Sequence, residues 1–251
     1  MKMRIFNLLF SSLLLINVIA CASVDETKIV ETNAADVYFQ LGVRYLNLNK
    51  LEIARENLQH AIRLDAKHSQ ALNALAFLDE KLGKIDEARS YYQTAISLTP
   101  DDLSVRNNYG RFLCEEGEIQ KGMELLNATI NDRLNERPWL AMTNLGRCYM
   151  RLAQYSEAQT YFEQALQLNE NYAPALLEMQ KVNYQQGNFS TAKVYLQHYA
   201  QLSEPTPESL LIAAQIEGAS GNLGMAKHYE TLLVTKFPLS SEAKQFKFTK
   251  K

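Results

Sequence analysis

From Ala35 onward, small, large and polar residues recur along the chain with a period of 34. The units begin at Ala35, Ser69, Leu103, Trp139, Ala173 and Pro207; the third has 36 residues and the other five have 34. Counted within each unit, position eight holds Gly42, Ala76, Gly110, Gly146, Gln180 and Ala214. Position twenty holds Ala54, Ala88, Gly122, Ala158, Ala192 and Ala226. Small side chains at both places predict two helices per unit that approach closely and pack ridge into groove. Position twenty-four supplies the filling residue in five units, as Leu58, Tyr92, Leu126, Phe162 and Leu196, while the sixth has Glu230. Position fifteen holds Asn49, Gly83, Gly117, Ala153, Gly187 and Gly221, so the first helix is expected to end in a left-handed residue. Position seventeen is apolar throughout, and Asp86, Ser156 and Ser190 after it are expected to cap the second helix. Pro100 and Pro238 stand where second helices should stop.

This pattern resembles the tetratricopeptide repeat (TPR), most fully in the fourth unit, NLGRCYM…YSEAQTYFEQAL. The resemblance implies an all-α fold: a right-handed superhelix, an α-solenoid of about six helix-turn-helix repeats over residues 35–240. Gln180, Tyr199 and Glu230 depart from the usual small or apolar choices, as expected where a solenoid must end in a polar face. Residues 241–251, with SSEAKQF, are expected to form a capping segment. The competing reading is an irregular helical bundle, which six in-phase small pairs disfavour.

Residues 1–20 differ in kind. Lys2 and Arg4 precede an apolar run from Ile5 to Ile16, too short for the ~20 residues a bilayer span needs. It fits a secretory signal peptide. The run ends in Val18-Ile19-Ala20-Cys21, which resembles a bacterial lipobox and implies lipidation at Cys21. The alternative is an ordinary signal peptide with a cysteine nearby. Ala22 next to that cysteine implies sorting to the outer membrane, and residues 21–34 are expected to act as a lipidated tether.

Charged residues make up 22% and hydrophobic ones 47%, a balance that supports a real core. The formal charge is -2, and no basic stripe is present, which argues against nucleic acid as a partner. No catalytic or metal-binding motif appears around His60, His68, His198 or His228, and these are read as surface or groove residues. No enzyme activity, cofactor, metal or small-molecule substrate is expected.

Cys114 and Cys148 fall late in the first helices of adjacent repeats, so their Cα atoms could approach the ~5.5–6 Å of a disulfide. An oxidising compartment would preserve the bridge; two buried free thiols are the alternative. The third repeat reads SVRNNYGRFLCEEGEIQKGMELLNATI. Its Asn107-Asn108-Tyr109-Gly110, Phe112-Leu113-Cys114 and Gly117, with the lipobox and the second cysteine in LGRCYM, resemble the type IV pilus biogenesis lipoproteins called PilF or PilW. That resemblance implies a pilotin at the outer membrane that supports targeting, multimerisation or stability of the pilus secretin. Another TPR lipoprotein, serving envelope assembly or cell-wall enzymes, is the second possibility. In TPR proteins the first helices line a concave groove. Phe39, Asn73, Phe77, Asn107, Arg111, Arg147, Arg151 and Lys181 are expected there, with asparagines holding a peptide backbone and arginines clamping a carboxylate. Asn107, Asn108 and Tyr109 can equally serve to fix the irregular junction of repeats three and four, and Phe39 and Phe77 can equally be core.

Overall fold

The structure, a computed structural model, describes residues 26–247. Cys21 and the leader lie outside the described residues. Among those described there are thirteen helices and no strand. They pair in order as α1 (Glu26–Asn47) with α2 (Leu51–Leu64), α3 (Ser69–Lys81) with α4 (Ile85–Leu98), and α5 (Leu103–Glu115) with α6 (Ile119–Ile130). Then come α7 (Pro138–Arg151) with α8 (Tyr155–Leu168), α9 (Ala173–Gln185) with α10 (Phe189–Leu202), and α11 (Pro207–Ala219) with α12 (Leu223–Lys236). A short α13 (Ser241–Lys247) follows. Each pair coincides with one sequence unit, and each packs on the next as a solenoid. Helix α1 starts ahead of Ala35, so part of the expected tether is helical; ETKIVETNA contains neither Gly nor Pro to stop it.

The small positions do what their size dictates. A Cβ on Gly146 would lie 2.4 Å from the Phe162 ring, and one on Gly42 2.5 Å from Leu58. Position eight is therefore the hole and position twenty-four the knob. The knobs Leu58, Tyr92, Leu126 and Phe162 are fully buried. The turn inside every repeat is a Schellman motif. In the second repeat the Gly83 N–H donates to the Glu80 carbonyl at 3.0 Å and the Lys84 N–H to the Asp79 carbonyl at 2.8 Å. All six position-fifteen residues have positive φ, including the non-glycines Asn49 and Ala153 at 55°. The caps differ from expectation. The turn is so tight that the second helix begins at position seventeen, which makes Lys84, Gln154 and Asn188 the N-caps and moves Asp86, Ser156 and Ser190 into the first turn. The side chains of those three caps accept no hydrogen bond from the first turn of their helices.

The ends of the array are finished separately. Ala243 of α13 is buried against Leu210 and Leu233, giving the sixth repeat a core despite Glu230. Two equivalent joints carry ion pairs: Arg55 with Asp79 at 3.4 Å between repeats one and two, and Lys193 with Glu217 at 2.8 Å between repeats five and six. Burial raises the Asp79 carboxyl above its usual range, against the pull of Arg55 and Lys84.

Candidate protein-binding groove and the third repeat junction

The first helices α3, α5, α7 and α9 bring the predicted groove residues into one series, but most are already engaged. Arg111 grips Glu80 with both terminal nitrogens, at 2.5 and 2.7 Å, and reaches Glu115 at 2.8 Å. The buried Tyr92 hydroxyl also donates to Glu80, at 3.2 Å. Although burial alone would lower it, the Arg111 pKa is driven up by Glu80 and Glu115. Further along, Glu178 is held by Arg147 at 2.8 Å and Lys181 at 2.9 Å, and Lys181 also reaches Glu208 at 2.5 Å. Burial opposes ionisation of Glu178, yet the two cations keep its pKa below the usual value.

The expected basic centre is thereby corrected. Arg111, Arg147 and Lys181 bind carboxylates of this chain and are not poised to clamp a partner's, while Arg151 is exposed without an ion pair among the described residues. The pairing crosses repeats: position nine meets position twelve of the preceding repeat, or position six of the following one, both 31 residues away. Glu80 and Glu178 stand 31 residues from Arg111 and Arg147, in the neighbouring repeat, and that spacing is the signal the sequence offers for them.

The asparagines also pair across repeats. Asn108 donates to Asn73 at 3.2 Å, and Asn144 donates to Asn107 at 3.0 Å. Phe77 is half-buried, with Lys81 and Arg111 over its ring at 5.0 and 5.5 Å. Phe39 lies on the margin of the first core cluster, its ring 5.0 Å from His68. His68 has a role the sequence did not reveal. Its Nδ1 accepts the Ala71 N–H at 3.2 Å as the cap of α3, and its Nε2 donates to Asp36 at 3.1 Å. No group of His, Cys, Asp or Glu among the described residues is arranged to hold a metal.

Cys114 on α5 and Cys148 on α7 face each other with Cα atoms 5.4 Å apart and sulfurs at bonding distance. At the other end of the same helices the chain is irregular. Seven residues, 131–137, join α6 to α7, whereas four suffice at 65–68, 99–102, 169–172 and 203–206. The longer loop is tied down: Asn135 donates to the Thr129 carbonyl at 2.7 Å and accepts the Arg137 N–H at 3.0 Å. Asp132 in the same loop accepts from Arg106 at 3.0 Å.

A regular train of helix pairs with left-handed turn residues and knobs set into glycine holes defines a tetratricopeptide repeat protein, and this chain is one. Tetratricopeptide repeat family models match residues 35–68, 79–145 and 139–172. Within that class it is homologous to the type IV pilus assembly protein PilF of Pseudomonas aeruginosa, 30% identical over 153 residues, 61% of each chain. An uncharacterized protein of Haemophilus influenzae is 28% identical over 112 residues, 45% of this chain and 63% of that one. The chain thus aligns with less than two thirds of these relatives' lengths. In solved structures it resembles PilW, a widely conserved type IV pilus biogenesis factor, with a TM-score of 0.70 at 26% identity over 84% of this chain and 97% of that one. For Pseudomonas aeruginosa PilF the TM-score is 0.65 at 28% identity, over 88% and 100%.

Proposed function

We propose that the protein is a type IV pilus pilotin: a non-catalytic scaffold, lipidated at Cys21, held on the periplasmic face of the outer membrane, that binds the pilus secretin and supports its targeting, multimerisation or stability. The observation that carries this reading is the likeness to PilF and PilW along the repeat array, joined with the lipobox at residues 18–21. Physically, the array offers a stiff series of first helices. Arg111, Arg147 and Lys181 are already paired with the chain's own carboxylates, so recognition rests on half-buried aromatics and amides, with Lys81 and Arg151 among the cations left to meet a partner's charge. The Cys114–Cys148 pair suits the oxidising periplasm, where a disulfide there would persist. The test is a deletion strain assayed for heat-stable secretin multimers and surface pili. Loss of both, restored by the wild-type gene and not by a Cys21→Ser version, is the expected outcome; normal multimers and normal piliation in the deletion strain reject the reading.

A further inference from the structure

Between the N-terminal ends of α5 and α7 and the 131–137 loop lies a cavity of about 320 Å³. Its walls are joined at the far end, where Cys114 meets Cys148, and its rim is the hydrogen-bonded loop just described, so the space is built into the junction. The lining has a distinctive polarity. Asn107 and Asn108 both contribute, and each has one half of its amide engaged: Asn107 Oδ1 by Asn144, Asn108 Nδ2 by Asn73. That leaves a donor, Asn107 Nδ2, and an acceptor, Asn108 Oδ1, with no partner among the described residues. Leu140 lines the same space, and Leu134 stands at the loop tip, 82% exposed although the loop around it is fastened. Glu136 and Arg137 on the rim cancel in charge, so the site selects neither anion nor cation.

We infer that this cavity docks an extended, uncharged segment of a protein partner, its backbone amide against Asn107 and Asn108 and one apolar side chain between Leu134 and Leu140. A peptide backbone offers a donor and an acceptor in each residue, which complements the two spare amide halves. A leucine displayed on a fixed loop is an apolar anchor that loses little freedom on binding. The bridge and the longer loop then have one purpose: they hold the cavity open before the partner arrives. The inference rests on the protein-binding reading but does not require that the partner be the secretin.

The test pans a phage-displayed library of random dodecapeptides on the oxidised protein and measures enriched peptides by interferometry on wild type, Leu134→Asp, Asn108→Ala and Leu239→Asp. Leu239 is as exposed, at 85%, and lies beyond α12, so it serves as the control. Enriched peptides should be uncharged around an apolar residue, lose about tenfold or more in affinity on the Leu134 and Asn108 variants, and bind the Leu239 variant as wild type. Unchanged melting of each variant confirms folding. Absence of enrichment over bare support, or equal affinity for all four proteins, overturns the inference. If peptides bind as expected while a purified secretin periplasmic region does not, the docking site stands and the pilotin reading falls.

Discussion

Replacing Gly122 by alanine installs the residue that five of the six repeats carry at position twenty, and it should nevertheless destabilise the protein. In a helix interior, alanine is favoured over glycine by about 1 kcal/mol, so propensity alone predicts a gain. Packing predicts the opposite. A Cβ on Gly122 would lie 2.5 Å from the Gly110 carbonyl oxygen, 2.6 Å from the Cys114 sulfur and 2.9 Å from the Cys114 nitrogen. Two of these atoms are backbone, so α5 must move away from α6, and α5 is itself tied to α7 through Cys114. Overpacking of this kind costs about 1–3 kcal/mol, more where relief requires backbone shifts. The net expectation is a loss of up to about 2 kcal/mol, read as a lower urea midpoint at unchanged slope. Ala88→Gly in the second repeat is the companion measurement and should cost about 1 kcal/mol from propensity. A Gly122→Ala protein with a raised midpoint would refute the claim that these helices touch at the backbone.

Other expectations follow from the same geometry. Cys114→Ser should cost about 3.8 kcal/mol on a loop-entropy model for the 34-residue separation, seen as a midpoint difference that vanishes when wild type is reduced. Ala153→Gly relieves a left-handed alanine and should raise the melting temperature by a few degrees, about 0.5–1 kcal/mol net of the entropy that glycine adds to the unfolded chain. Glu178→Gln should cost about 1.5–3 kcal/mol at neutral pH, since it weakens charge-assisted bonds to Arg147 and Lys181. Because the folded state lowers the Glu178 pKa, the wild-type advantage is full above the ordinary carboxylate range and is lost below it, as pH falls through the lowered folded value; melting across an acid series checks the convergence.

Steric requirements were readable in the sequence because they are local and repeated. A glycine at position fifteen or a Gly42–Leu58 fit is dictated by the residue's own size, and the period shows each of them four times. The α-solenoid is what the resemblance of that pattern to the tetratricopeptide repeat implies. The groove chemistry was less readable. Within its own repeat Arg111 has only Glu115, four residues on, and it is the geometry of stacked helices that places Glu80 beneath it. The helix caps fall two residues earlier than expected because the second helix begins directly after the Schellman turn, where only Asn222 in the sixth repeat has a side chain that accepts a first-turn N–H. Gln180 stays unexplained: it fills a glycine-or-alanine position, fully buried, with both amide atoms unpartnered.

The position of the cysteine pair has a consequence for how the array comes apart. A solenoid is held by nearest neighbours, so it loosens inward from its free ends one joint at a time. A bridge between Cys114 and Cys148 falls at the middle of the five joints, equidistant from both ends. Unzipping from either end would meet that bridge at the third joint, so a pull on either end would leave α5 and α7 joined as a remnant from which the neighbours can refold.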